Sequence, residues 1–326
     1  MKRKLAILAL VLCSTLGLLA QNGVVISKDN PLQVALMRWY PANQAQTVFQ
    51  AGNNPIAAAF DGQSIWVANA DGNSIPNGST IMKFRSSDGA LLGTYAAGSL
   101  PSGIAFDGEY IWVTNQGSNS VYKFQASTGA LIGTFDVGFP TLGIVFDGTN
   151  IWVSQFTVGF VTKIQAKTGT ILSNTPVGSD PIGLAFDGTY IWVANADSNN
   201  VMKINEAGTV IGTYPVGSSP EYLAFDGKNM WVANGGSNNV TELSLSGALL
   251  GTFAVGTYPL GIAFDGANMW VANHSSNTVT ELQVSNGAVL GTYAVGQGPW
   301  GVAFDGVNIW VANQYYGSAT GWLSKL

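Results

Sequence analysis

The sequence predicts an all-β fold, a seven-bladed β-propeller of four-stranded antiparallel blades. Three observations lead there. Phe-Asp-Gly begins at Phe60, Phe106, Phe146, Phe186, Phe225, Phe264 and Phe304, at intervals of 46, 40, 40, 39, 39 and 40 residues, and units of about forty residues are the signature of a propeller or solenoid. Six residues after each phenylalanine stands Trp66, Trp112, Trp152, Trp192, Trp231, Trp270 or Trp310, so seven of the ten tryptophans keep the phase of the repeat. Each unit also divides into short apolar runs separated by turn residues, with no helical periodicity inside the repeats.

At the N-terminus, basic Lys2-Arg3-Lys4 precedes the apolar run Leu5 to Ala20, the pattern of a secretory signal peptide cut after Ala20. An uncleaved anchor is the alternative, but a run of 16 residues is short of the roughly 20 that span a bilayer. A lipoprotein reading at Cys13 asks for a small residue before the cysteine, and Leu12 is large. The expected organisation is therefore 1–20 signal peptide, 21–46 an N-terminal segment, and 47–326 the propeller, in a secreted or periplasmic protein with no transmembrane span in the mature chain. Within the middle segment, Asn30 as cap, Pro31, Leu32, Leu36 and Trp39 at helical spacing and Pro41 beyond predict one short helix.

The unit from Gly183 to Gly217 shows how a blade is built. Gly-Leu-Ala-Phe forms a first strand and Ile191-Trp192-Val193-Ala194-Asn195 a second, joined by a turn at Asp187-Gly188, a strong hairpin signal between apolar runs. Val201 to Ile204 and Val210 to Tyr214 make the third and fourth. First strands rich in Gly and Ala suit a crowded inner position, and the second-strand Trp is large enough to pack between blades. The last unit ends at Trp322 to Leu326, after its third strand, while Val48-Phe49-Gln50-Ala51-Gly52 aligns with the fourth-strand stretch Thr292-Tyr293-Ala294-Val295-Gly296. Pairing the two ends closes a ring and covers an exposed edge, which a linear solenoid has no reason to arrange.

Composition narrows the function classes. With 47% hydrophobic and 10% charged residues and 41 glycines, the chain is not disordered. Its formal charge of −5 becomes −8 without residues 1–20, since 13 basic residues lose three and 18 acidic residues lose none. An acidic protein without a basic stripe is a poor partner for nucleic acid or anionic membranes. The only cysteine is Cys13 and the only histidine His274, which excludes disulfides and thiolate or His-rich zinc sites from the mature chain. No Gly-rich loop leads into a helix, so a nucleotide cradle has no platform. A serine nucleophile would need His274 as its base.

Units such as Pro259 to Asn273 (PLGIAFDGANMWVAN), followed by Asn277-Thr-Val-Thr-Glu-Leu and Gly291-Thr-Tyr-Ala-Val-Gly, resemble the YVTN-type repeats of bacterial extracytoplasmic seven-bladed propellers. They are also similar to NHL repeats and to the propeller of streptogramin B lyase, over nearly all of residues 47–326. The lyase resemblance implies a histidine pair, a glutamate and a magnesium ion on one face. This chain departs from that pattern. It has one histidine, and after Trp-Val-Ala, where the lyase pattern often has Glu, stand Asn69, Asn115, Asn195, Asn234, Asn273 and Asn313, with Gln155 in blade three.

Residues common to every blade read as structural. Asp61, Asp107, Asp147, Asp187, Asp226, Asp265 and Asp305 are expected to cap their own hairpin turns through the carboxylate, and the repeated Asn to serve a turn or the channel. Lys83, Lys123, Lys163, Lys203, Glu242, Glu281 and Lys325, at one third-strand position, read as a solvated face with some cross-blade ion pairing. Function is sought where blades differ, on the face bearing the loops into the first strand and between the second and third. That face carries Asp71, Phe139, Asp180, Asp197, Glu221, Tyr222, Tyr258, His274, Trp300 and Tyr315, and in blade one a six-residue insertion around 73–78.

Glu221-Tyr222 is the sharpest departure, since matching pairs are Ser102-Gly103, Ile182-Gly183, Leu260-Gly261 and Trp300-Gly301. Glu221, Tyr222 and His274 are candidates for an acid, base and orienting set, set against drift on a solvent-facing loop. Asp180, Asp197, Glu221, Tyr222, Tyr258, His274 and Trp300 are the candidate ligand-binding residues, with Trp300, Tyr258 and Phe139 able to line a sugar or peptide platform. The leading expectation is a monomeric binding or interaction module for a peptide, carbohydrate or protein ligand, without a cofactor. One alternative is a metal-assisted lyase or hydrolase using magnesium. Another is a structural envelope or surface component.

Overall fold

The computed structural model describes residues 47–70, 79–314 and 321–326. The expected signal peptide, the 30–41 helix, the 73–78 insertion, Asp71 and Tyr315 lie outside the described residues. Residues from 47 onward form seven four-stranded antiparallel sheets, the seven blades of a propeller. Blade one is Pro55–Phe60, Ser64–Ala70, Ser79–Arg85 and Leu91–Ala96 in meander order, and blades two to six repeat it. The only helical turn among the described residues is a 3-10 turn at Gln116–Ser118, and no helix there is long and apolar enough to cross a membrane.

Blade seven takes its first three strands from Pro299–Phe304, Ile309–Asn313 and Trp322–Lys325 and its fourth from Thr47–Gln50. The added strand runs antiparallel, with Thr47 opposite Lys325 and Gln50 opposite Trp322. Its chemistry also matches. In five blades an aromatic on the fourth strand lies over the repeat Trp, as Tyr95 does on Trp66 and Tyr214 on Trp192 with ring centroids 5.5 Å apart. Phe49 performs that service for Trp310 at the same 5.5 Å. The predicted closure is therefore made in pairing and in packing.

Strand position in the blade sets side-chain character. First strands crowd the axis and enclose a cavity of about 130 Å³ lined from all seven blades. A β-carbon on Gly183 would press on the Glu221 carbonyl oxygen and the Tyr222 Cα, and one on Gly261 on the Trp300 carbonyl oxygen. Backbone cannot swing aside as a side chain does, so Gly183→Ala is expected to cost about 1–3 kcal/mol. Urea denaturation reads that loss, and an unchanged midpoint would mean that the inner strands have room for a methyl group. Fourth strands form the outer edge and alternate exposed with covered residues, as in Leu91–Ala96. A bulge at the same point in blades one to six interrupts their pairing with the third strand, which blunts an otherwise open edge.

The repeated residues explain how neighbouring blades hold together. Each of the seven aspartates accepts two backbone N–H bonds at Oδ1 inside its turn, as the sequence predicts. For Asp187 these come from Thr189 at 2.9 Å and Tyr190 at 2.7 Å. Its Oδ2 accepts the Trp192 indole N–H at 2.7 Å, a bond made by all seven pairs. The tryptophans then fill the seam between blades, Trp66 packing with Ile111, Val113 and Phe124 of blade two.

The third-strand lysines correct a sequence expectation. They are not a solvated face. Lys83, Lys123, Lys163 and Lys203 are buried and donate to next-blade carbonyls, those of Ala126, Ala166, Glu206 and Leu245. Each ammonium also lies over its own blade's repeat Trp, 4.8–5.0 Å from the centroid. Lys325 does the same across the closing seam, to Ser86 at 2.9 Å and Ser87 at 3.2 Å. In blades five and six Glu242 and Glu281 instead accept from Asn229 and Asn268 of their own blade. Lysine's long apolar stem lets it cross a seam with its head on a carbonyl, which strand alternation alone does not reveal.

Candidate functional site

The meander puts the loops joining fourth to first strands and second to third strands on one face. Two columns of residues line it. The first precedes the conserved-in-repeat proline, and its members Asn54, Leu100, Asp180, Ser219, Tyr258 and Gly298 all have φ between 49° and 57°. The carbonyl of each accepts a hydrogen bond from the residue just after the repeated Asn, forming the second column: Ala70, Gln116, Ala196, Gly235, His274 and Gln314. In these six blades the mouth backbone is nearly identical, while blade three departs from it, its first strand shortened to Ile144–Phe146. Among the six, the side chains fix what this mouth can do.

The repeated Asn itself does not reach the channel. Asn69, Asn115, Asn195, Asn234, Asn273 and Asn313 are buried, and their amides bond within the blade, as from Asn195 to Asn200 Oδ1 at 2.9 Å. Of the two roles expected for it, the turn role is the one found.

Blades five to seven bring the candidates together. Glu221 is only 5% exposed. Its Oε1 accepts from Ser219 Oγ at 3.1 Å and from the Tyr258 hydroxyl at 3.4 Å. The Tyr258 ring meets His274 edge-on at 5.9 Å between centroids, and His274 meets Trp300 edge-on at 5.6 Å. Tyr222 stands where five other blades have glycine and helps line the axial cavity. Thus Glu221, Tyr258, His274 and Trp300 form a contiguous set on one side of the mouth, with Tyr222 below.

Burial sets the charge of each group. It pushes the Glu221 carboxyl up to about 7, the Ser219 and Tyr258 bonds opposing and the Asp180 charge adding. It pushes the Tyr222 phenol up to about 12 against the influence of the Trp300 indole, so this phenol stays protonated. Burial lowers His274, with Gln314 acting the other way, leaving a neutral imidazole at pH 7. Asp180 is raised, by burial first and then by the charge of Asp197.

Asp180 therefore reaches Glu221 through its field, and Asp197 acts on Asp180. Asp197 is exposed in the blade-four loop, and Phe139, 47% exposed in blade three, stands apart from the cluster. Ser219 and Gln314 were not among the sequence candidates. Both sit in the two mouth columns, so comparing residues column by column finds them, whereas looking for unusual residue types passes over a serine and a glutamine.

Magnesium, implied by the lyase resemblance, asks for hard oxygen ligands, usually with a carboxylate in the first shell. No group of three His, Cys, Asp or Glu side chains converges among the described residues. Glu221 has Oε1 engaged by two hydroxyls and aromatic rings beside it. These residues do not fit a resident magnesium ion.

No protein-family model and no curated protein matches this chain by sequence. Solved structures match by shape. A streptogramin B lyase aligns with TM-score 0.69 and 18% identity, covering 86% of this chain and 97% of that one. Virginiamycin B lyase from Staphylococcus aureus aligns with TM-score 0.70 and 19% identity, covering 86% and 99%. Hydrazine synthase from Kuenenia stuttgartiensis gives TM-score 0.70 and 19% identity, covering 87% and 98%. Identities this low establish the seven-bladed fold and nothing finer.

Proposed function

We propose that this chain is a binding module that takes its ligand at the mouth over blades five to seven. One observation carries the reading: a buried carboxyl, two aromatic rings and an imidazole converge there, on blades whose mouth backbone is the one shared by six of the seven. Rigid elements hold such groups in place at little entropic cost on binding. Export with removal of residues 1–20 and action as a monomer, away from nucleic acid, belong to the same proposal.

Amide chemical-shift mapping with a panel of monosaccharides, amino sugars and dipeptides tests it. Perturbations are expected to cluster on 219–222, 258, 274, 298–300 and 314. The joint variant of Glu221→Gln, His274→Ala and Trp300→Ala should lose them while keeping its far-UV spectrum. Binders mapping to the opposite face, or surviving in that variant, would place the site elsewhere. Two structural neighbours are lyases, but the poor fit to magnesium gives metal-assisted cleavage no support from this chain's residues. A purely structural role gives no reason for the three blades to differ at one place.

A further inference from the structure

Resting on that binding reading, we propose that the mouth recognises a protonated primary or secondary amine, with the Glu221 carboxylate receiving its N–H and the Tyr258 and Trp300 rings covering the adjoining carbons. Three independent observations converge on this ligand chemistry.

The first is an incomplete hydrogen-bond set. Both bonds that reach the Glu221 carboxyl go to Oε1, and none from a described residue goes to Oε2, although the side chain is almost wholly covered. Ser219 and Tyr258 fix the carboxyl plane and leave the second oxygen for another donor. An ionised carboxylate accepts up to four hydrogen bonds, so acceptor capacity remains.

The second is a missing counter-charge. Buried carboxylates are ordinarily paired with a cation, yet the described loops of this face hold no lysine or arginine. Its charged groups are acids: Asp136, Asp180, Asp197 and Glu221. The five latch lysines have their heads on carbonyls at the other end of the blades. Arg85 pairs with Asp88, and Lys167 and Lys228 lie in turns of that opposite face. His274 is neutral at pH 7. Among the described residues the mouth is thus a negative field without an internal cation, which repels anionic ligands and draws cationic ones.

The third is the aromatic wall. Tyr258 is 39% exposed with its hydroxyl on Glu221, so its ring begins beside the carboxylate. Trp300 continues the wall through His274. A cation within about 6 Å of such faces gains attraction beyond area burial, and the rings equally cover the alkyl or sugar carbons that carry the nitrogen. An uncharged alcohol would satisfy the rings but leave the field uncompensated.

Amines of this kind come from amino sugars or from peptide N-termini, and calorimetry on the full chain separates them. Glucosamine is compared with N-acetylglucosamine, and an alanyl dipeptide with its N-acetyl form. In at least one pair the free amine should bind about tenfold tighter or more at pH 8, from one charge-assisted hydrogen bond and its cation–π contact, and Glu221→Gln should erase the preference. The amine proposal is overturned by equal binding of acetylated and free forms, by a preference that survives in Glu221→Gln, or by no binding of any amine at tens of millimolar, a working range set by typical weak-ligand affinities. Neutral sugars bound at the mouth without amine preference would sink this inference and leave the binding reading standing.

Discussion

Replacing Asp187 with alanine is expected to destabilise the protein by about 4 kcal/mol, the range for breaking a buried charge network by deleting one partner. The carboxylate serves three elements at once. It holds two amides of its turn, accepts the Trp192 indole N–H, and lies 3.8 Å from the Lys203 ammonium. Alanine leaves that indole N–H buried with no acceptor, at about 1–3 kcal/mol, and removes the charge nearest a lysine that crosses to Leu245 of the next blade.

Asparagine at the same site separates these contributions. Its Oδ1 can still take the turn amides, but its NH₂ group then faces the indole N–H, donor against donor. An intermediate loss of about 2 kcal/mol is expected. Urea midpoints at constant m read both variants. A loss under 1 kcal/mol for alanine would show that the turn, the tryptophan and the seam hold without this carboxylate.

Glu221→Gln is expected to act in the opposite direction, and only above a defined pH. The Glu221 carboxyl moves from the ordinary 4.5 up to about 7 in the fold. Below pH 4.5 it is protonated in folded and unfolded chains alike, and the fold bears no cost. As pH rises toward 7 the unfolded chain ionises first, so stability is lost through this window. The loss levels off above the folded value, at about 3 kcal/mol for a shift of this size.

Glutamine stays neutral and keeps an oxygen for Ser219 and Tyr258. The variant should therefore match the parent near pH 4 and exceed it at pH 8 by up to about 3 kcal/mol. The other groups facing the site, Asp180, Asp197, Tyr222, Tyr258 and His274, are present in both proteins, so the difference reads Glu221 together with its coupling to Asp180. A gap that does not vary with pH would mean that burial does not hold the carboxyl up. Carrying a destabilising acid that glutamine would relieve is the pattern of a site kept for binding.

Much of the ring is legible in the sequence. The 39- and 40-residue intervals marked blades, Asp-Gly marked hairpins, and the unfinished unit at Trp322 pointed to a partner strand at Phe49. What periodicity conceals is where a long side chain ends. Lys203 alternates like a surface residue along its strand, yet its ammonium lies over Trp192 and under Leu245 of another blade. Strand phase reports the direction of Cβ, not the position of an atom four bonds further on.

The site divides in the same way. Glu221-Tyr222 and His274 stood out because each breaks a repeated pattern, and the loop columns placed them on one face. Ser219 and Gln314 break no rule of residue type, although one bonds to Glu221 and the other flanks His274.

The number of blades, their hairpins, the ring closure and the face on which blades differ can be read from the chain alone, because local turn chemistry and a regular repeat dictate these. That the third-strand lysines are inter-blade latches and that Glu221, Tyr258, His274 and Trp300 meet emerges from packing. Both depend on distances between blades about forty residues apart in the chain. Those distances are set by how the blades pack around the axis, which no single repeat encodes.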